Sequence, residues 1–151
     1  SNFAFSPLLI DDVIAYKIRY QLISKLKKKY LCFYKPHPAS NVKIVKNFLK
    51  QVNIQLENRK FEDIFLDYDL LFFDNIATTC TKTAFASNQP ILFLNYLGIY
   101  LNKKVIHDLN KRVSMIDIKN YKFSLSEELL SALIKDSIKK RNDKSFFKKY
   151  F

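Results

Sequence analysis

The segment Leu31-Cys32-Phe33-Tyr34-Lys35-Pro36-His37-Pro38 constrains this chain more than any other. An apolar, aromatic run of strand length stops at a turn in which a proline follows both Lys35 and His37. Proline fixes its own φ and drives the preceding residue toward extended backbone, so neither Lys35 nor His37 is expected to be helical. The expected product is a buried strand ending in a stiff turn that holds one imidazole. In open α/β sheets, ligands bind in the crevice outside the carboxyl ends of the strands.

Elements on either side repeat a strand and helix alternation. Phe3 to Ile10 is mostly apolar and is interrupted by Ser6-Pro7, which predicts a short first strand and a turn. Asp11 and Asp12 sit where a helix N-terminus favours carboxylates. Val13, Ile14, Ile18, Leu22, Ile23 and Leu26 then recur at helical spacing toward Lys27-Lys28-Lys29. After the proline turn, Ser40 or Asn41 is placed to cap a helix whose apolar face is Val42, Val45, Phe48, Leu49 and Val52.

The same grammar predicts a strand at Ile54 to Glu57, a brief helix at Arg59 to Leu66 and a strand at Asp69 to Asp74. A turn rich in threonine, Asn75 to Thr81, leads into a helix at Lys82 to Ser87 and a strand at Ile91 to Leu94. A helix over Asn102 to Arg112 and a strand over Val113 to Ile118 follow, and Ser124-Leu125-Ser126-Glu127 resembles a capping box for a last long helix. Strand, helix, strand units of this kind pair their strands in parallel. One α/β domain is expected over residues 3–151, with Ser1-Asn2 read as a tag remnant and set aside.

A single glycine in 151 residues excludes glycine-rich phosphate loops of the Walker and Rossmann kinds. Cys32 and Cys80 lie far apart with no metal spacing, so reduced thiols, a cytoplasmic setting and no metal or cofactor are expected. No apolar run reaches the roughly 20 residues that span a bilayer. A net charge of +12 calls for an anionic partner without naming it.

Two turns carry the unusual chemistry. Thr78, Thr79 and Thr81 place hydroxyls at a helix start, where backbone N–H groups and the helix dipole attract anions without any glycine. Lys35 and His37 would face the same anion from a neighbouring strand end, and phosphate suits such a pocket. Plainer readings stand beside this one: a histidine between prolines also serves as a stiff connection bonded to a carbonyl, and threonines also merely cap helices. His107 reads as a structural or surface histidine, and Asp74 as an orienting residue for the threonine turn.

Lys35-Pro36-His37-Pro38 resembles the His-Pro motif of bacterial GT-B glycosyltransferases that use CMP- or CDP-activated donors, among them sialyl- and polysialyltransferases, capsule Kdo transferases and the related CDP-glycerol glycerophosphotransferases. The stretch from Asp69 through Thr78-Thr79 to Gln89-Pro90-Ile91 is similar to their second signature. Nearly the whole chain fits their C-terminal, nucleotide-binding half. The resemblance implies a Rossmann-like three-layer α/β/α domain with a parallel sheet. It implies that His37 contacts the donor phosphate and protonates the departing nucleotide, that Thr78 and Thr79 bind that phosphate, and that Pro38 holds the histidine loop. Lys35 carries over as a further phosphate contact, and Ser6-Pro7 as a border of the base or ribose. Thr83 and Phe85 stand where many relatives have Glu-Ala-Leu, and Asn88 replaces a common glycine, so the donor's identity stays open.

The mechanism this implies is metal-independent, with the general base on an N-terminal domain, and the fragment alone is expected to bind nucleotide weakly and turn nothing over. The tail from Lys139 to Phe151 has six basic residues and one acidic, a net +5, and reads first as a solvated helix end; the alternative is that its lysines and phenylalanines hold a peripheral enzyme near anionic lipid at the inner face of the plasma membrane. Nucleic acid is not the expected partner, because the basic residues are spread over several helices and the aromatics fall in predicted strands. The alternatives are a basic nucleic-acid-binding α/β module, or half of a UDP-sugar epimerase or phosphotransferase.

Overall fold

The computed structural model describes residues 12–36, 42–74, 79–96, 102–118 and 124–151. The expected first strand with Ser6, the caps at Ser40 and Asn41, and three candidate site residues, His37, Pro38 and Thr78, lie outside them. The described chain is α/β, with parallel strands in one sheet of two strands and one of three. By their internal contacts Ser1–Lys60 and Phe61–Phe151 form two compact units.

In the first unit, α1 (Asp12–Leu26) precedes β1 (Phe33–Tyr34), α2 (Val42–Val52) and β2 (Gln55–Leu56). The strands pair in parallel, Phe33 opposite Gln55 and Tyr34 opposite Leu56, and α2 supplies the crossover that a parallel pair requires. Val45, Phe48 and Val52 are buried, as their helical spacing predicts. The Phe48 ring meets Tyr16 edge-on at 5.2 Å and Tyr34 at 5.5 Å. Just after α2, Asn53 takes a φ of 51° and donates its N–H to the Leu49 carbonyl at 2.8 Å. That left-handed position usually falls to glycine, and asparagine is the residue that best replaces it. The Lys27 amine donates to the Val52 carbonyl at 2.8 Å and so ties together the C-terminal ends of α1 and α2.

The expectation of a buried strand at Leu31 to Tyr34 is corrected. Exposure alternates: Leu31, Phe33 and Lys35 are exposed, whereas Cys32, Tyr34 and Pro36 are half-buried. A period of two marks a strand with one covered face, and Leu31 on the outward face is 77% exposed.

The second unit begins with α3 (Phe61–Ile64), which continues as a 3-10 turn over Phe65–Asp67. Then come β3 (Leu71–Phe73), α4 (Thr79–Ala86), β4 (Ile91–Tyr96), α5 (Lys103–Leu109), β5 (Ser114–Ile118), α6 (Glu127–Lys140) and α7 (Ser145–Tyr150). The strands are parallel in the order β3-β4-β5, with Leu71 opposite Ile91 and Leu92 opposite Ser114. All four residues from Ile91 to Leu94 are buried, so β4 is covered on both faces. Ile91 and Phe93 share one core cluster with Leu71, Phe85, Leu109 and Phe146. Leu130, Ile134 and Ser137 are the buried positions of α6, whose Asp136 accepts a hydrogen bond from the Ser114 hydroxyl on β5.

Among the described residues, two helix starts are capped by side chains: Asn102 accepts from the N–H groups of Lys104 and Val105, and Ser126 accepts from that of Leu129. The cap of α6 is therefore Ser126, two residues beyond the Ser124 that the capping-box pattern suggested.

The C-terminal tail differs most from expectation. Phe146 is 3% exposed and packs against the rings of Phe85 at 5.3 Å and Tyr150 at 4.6 Å. The Lys149 amine and the Tyr150 hydroxyl both donate to the buried Asp108 carboxylate, at 2.5 and 2.9 Å, and Lys111 donates to its other oxygen at 3.3 Å. These bonds, that from Lys149 first, hold the Asp108 carboxyl well below the usual carboxylate range. A buried aromatic anchor and a buried carboxylate thus fold the tail into the second unit. Among the described residues, no helix is long and apolar enough to cross a membrane.

Candidate functional site

Both sequence motifs fall between a strand and a helix of a parallel β-α-β unit. In the first unit Lys35 and Pro36 follow directly on β1, Lys35 exposed and Pro36 half-buried, and α2 begins at Val42. This is the carboxyl end of a parallel strand, where α/β folds bind ligands. A lysine there is a mobile cationic donor of up to three hydrogen bonds, suited to phosphate oxygens.

In the second unit β3 ends at Phe73 and α4 begins at Thr79, three residues before the start that sequence periodicity indicated. Thr79 is exposed, Cys80 half-buried and Thr81 only 1% exposed. Of these three, Thr79 presents its hydroxyl where a soluble ligand reaches it, while Thr81 belongs to the packing. The first turn of a helix leaves backbone N–H groups without intrahelical acceptors, and the dipole adds positive potential at the same end. The mouth of α4 is therefore suited to an anion, and a hydroxyl stands there instead of a glycine cradle.

The other end of α4 is held by a residue that sequence reasoning placed at the end of α5. Helix α5 stops at Leu109, and Arg112 lies in the following turn, fully buried. Its guanidinium donates to four main-chain carbonyls, those of Ala84 at 3.1 Å, Phe85 at 3.3 Å, Ser87 at 2.9 Å and Gln89 at 2.9 Å. Burial pulls Arg112 down to about 10 and nearby Asp143 draws it back up, so it stays charged at neutral pH. The Lys144 amine donates to the Ser87 carbonyl as well. Gln89, from the expected second signature, donates its side-chain amide to the carbonyls of Phe65 at 3.1 Å and Tyr68 at 2.7 Å. It fixes the turn before β4 onto the segment before β3.

No family model, curated protein or solved structure matches the chain. What the site can do follows from its own residues.

Among the described residues, two concavities lie in the first unit. One of about 50 Å³ is lined by Tyr16, Arg19, Tyr34, Ile44, Val45 and Phe48, and a shallower one of about 200 Å³ by Tyr16, Lys17, Tyr20, Gln21 and Gln51. Neither includes Lys35, Thr79 or Thr81. Burial raises the Cys32 thiol against the opposing influence of Lys27, which leaves it a poor nucleophile, and Cys32 and Cys80 form no disulfide. His107 is exposed on α5, as a surface histidine would be.

Proposed function

We propose that this chain is the donor-binding half of a glycosyltransferase that uses a nucleotide-activated sugar or polyol phosphate, with CMP- or CDP-linked donors favoured. The observation that carries the reading is topological. Each motif turn, Lys35-Pro36-His37-Pro38 and the one ending at Thr79, occupies the strand-to-helix junction of its own parallel β-α-β unit. Those junctions are the ligand-binding positions of α/β folds. A three-layer Rossmann-like domain, one half of a GT-B fold, is the architecture this reading assigns to the chain.

In this mechanism an acceptor hydroxyl attacks the reacting centre, the anomeric carbon of a sugar donor or the distal phosphorus of a polyol phosphate donor, as the bond from that atom to the nucleotide phosphate oxygen breaks. The electron pair leaves with the nucleotide phosphate, whose growing charge calls for donors of the kind each turn carries, an ammonium at Lys35 in one and threonine hydroxyls at Thr78 and Thr79 in the other. His37 delivers the proton that the departing phosphate takes up. Pro38 holds the imidazole loop, and Ser6 borders the base or ribose. Thr81, being buried, supports the helix start. The base that deprotonates the acceptor belongs to an N-terminal domain, so the chain alone binds nucleotide without turnover. A water-soluble nucleotide donor assigns the enzyme to the cytoplasm.

Ligand-induced thermal stabilisation tests this reading. CMP or CDP should raise the melting temperature, and His37→Ala should abolish the rise. A preference for UDP would favour an epimerase or phosphotransferase half, a preference for oligonucleotide would favour a nucleic-acid module, and either would overturn the proposal.

A further inference from the structure

The excess positive charge is concentrated in the first unit. Residues 1–60 contain twelve basic and three acidic side chains, a net +9, whereas residues 61–151 contain fourteen and eleven, a net +3. Glu57, one of those three carboxylates, is engaged by Arg59 at 2.7 Å. The tail that seemed the natural anion-seeking segment has its aromatic anchor Phe146 buried and its Lys149 bound to Asp108.

Three of the exposed apolar side chains of the first unit, Tyr30, Leu31 and Phe33, follow directly on its lysine run, while Tyr20, Ile44 and Leu56 are exposed elsewhere along it. Helix α1 ends in a tight turn, in which the N–H of Lys28 reaches the Lys25 carbonyl at 3.3 Å and that of Tyr30 reaches the Leu26 carbonyl at 2.9 Å. This turn leaves Lys28, Lys29, Tyr30 and Leu31 exposed in succession, Tyr30 by 44% and Leu31 by 77%. Phe33, two residues on and the first residue of β1, is 37% exposed. Cations at a helix C-terminus answer the helix dipole. That explains the lysines but not a tyrosine, a leucine and a phenylalanine turned outward beside them.

We propose that the first unit docks on an anionic lipid surface through Lys28, Lys29, Tyr30, Leu31 and Phe33. Lysine ammoniums meet the headgroups while their stems lie along apolar surface. Tyrosine suits the interface itself, and leucine and phenylalanine gain by entering the acyl boundary. Nucleic acid fits the face less well. Its bases stack on aromatic rings and gain nothing from an aliphatic side chain, yet Leu31 is the most exposed apolar residue of the set. This inference is independent of the nucleotide reading, because none of the five residues is assigned to the phosphate.

The test is co-sedimentation of the full chain with phosphatidylcholine vesicles, with and without phosphatidylglycerol. Binding should require phosphatidylglycerol and fall with salt. The double variant Lys28→Gln/Lys29→Gln should bind about thirtyfold more weakly, from about 1 kcal/mol per lysine near an anionic surface. Leu31→Ser should weaken binding several-fold while its melting temperature stays that of the parent, since the side chain is exposed. The charge-matched tail variant Lys139→Gln/Arg141→Gln should change binding by less than about threefold. The proposal is overturned if the chain ignores phosphatidylglycerol, if the tail variant loses as much as the turn variant, if Leu31→Ser binds normally, or if a single-stranded oligonucleotide is bound in preference to the vesicles.

Discussion

Arg112 donates a 2.9 Å hydrogen bond to the main-chain carbonyl of Ser87, just past the C-terminal end of the helix whose first residue is Thr79. With its bonds to Ala84, Phe85 and Gln89, the guanidinium ties together carbonyls of the end of α4 and the turn to β4, beside the Ser87 N–H that also reaches Ala84. A helix of eight residues has little intrinsic stability. Buried Phe85 and this clamp hold it in place, and with it the mouth proposed to meet the phosphate.

Removing the clamp should be costly. Arg112→Leu takes the side-chain donor from the Phe85 and Gln89 carbonyls, while Ser87 keeps Lys144 and Ala84 keeps the Ser87 N–H, for a loss of about 2 kcal/mol or more in unfolding free energy. Arg112→Lys should recover only part of it, because an ammonium cannot reproduce the planar fork. Urea denaturation measures both, and a loss below about 1 kcal/mol for Arg112→Leu would contradict the role.

Asp108 makes the second unit sensitive to acid. Its carboxyl gives up its proton more readily folded than unfolded, so its stabilising contribution is present above the ordinary aspartate value of about 4 and fades as pH falls below it. Asp108→Asn should therefore melt below the parent at neutral pH, with the gap closing as the pH is lowered. Thermal melts across an acid series test this, and a gap independent of pH would show that the charge is not what matters.

The folded tail separates two phenylalanines five residues apart. Phe146→Ala empties a buried position and should cost about 3–5 kcal/mol, whereas Phe151→Ala, at a residue 56% exposed, should cost less than about 1 kcal/mol. Equal effects in urea denaturation would mean that the tail is solvated after all.

Helices α2 and α6 were legible because a long apolar stripe at helical spacing admits one reading, and the parallel pairing followed from the alternation of strands with helices. The covered side of β1 was not legible, since an unbroken apolar run as short as Leu31 to Tyr34 looks the same whichever face is buried. Arg112 and Phe146 were misplaced for a related reason. An arginine buried by clamping carbonyls, and a phenylalanine that anchors a lysine-rich helix, read in sequence like any solvated helix end, because the partners Ser87 and Phe85 lie far along the chain. The division of charge between residues 1–60 and 61–151 was present in the sequence but has meaning only once the two units are known. Of the candidate site, the residue types and their strand-end positions were legible at Lys35 and Thr79, and the burial of Thr81 was not.

Calorimetric titration with CMP and with cytidine isolates the phosphate itself. The unaltered chain should bind CMP more tightly than cytidine, His37→Ala should lose that difference by more than about tenfold, and Thr79→Ala should lose it by about fivefold, as expected for a charged and a neutral hydrogen bond. Equal affinity for the two ligands, or a CMP preference that survives both substitutions, would contradict a phosphate site built from these turns.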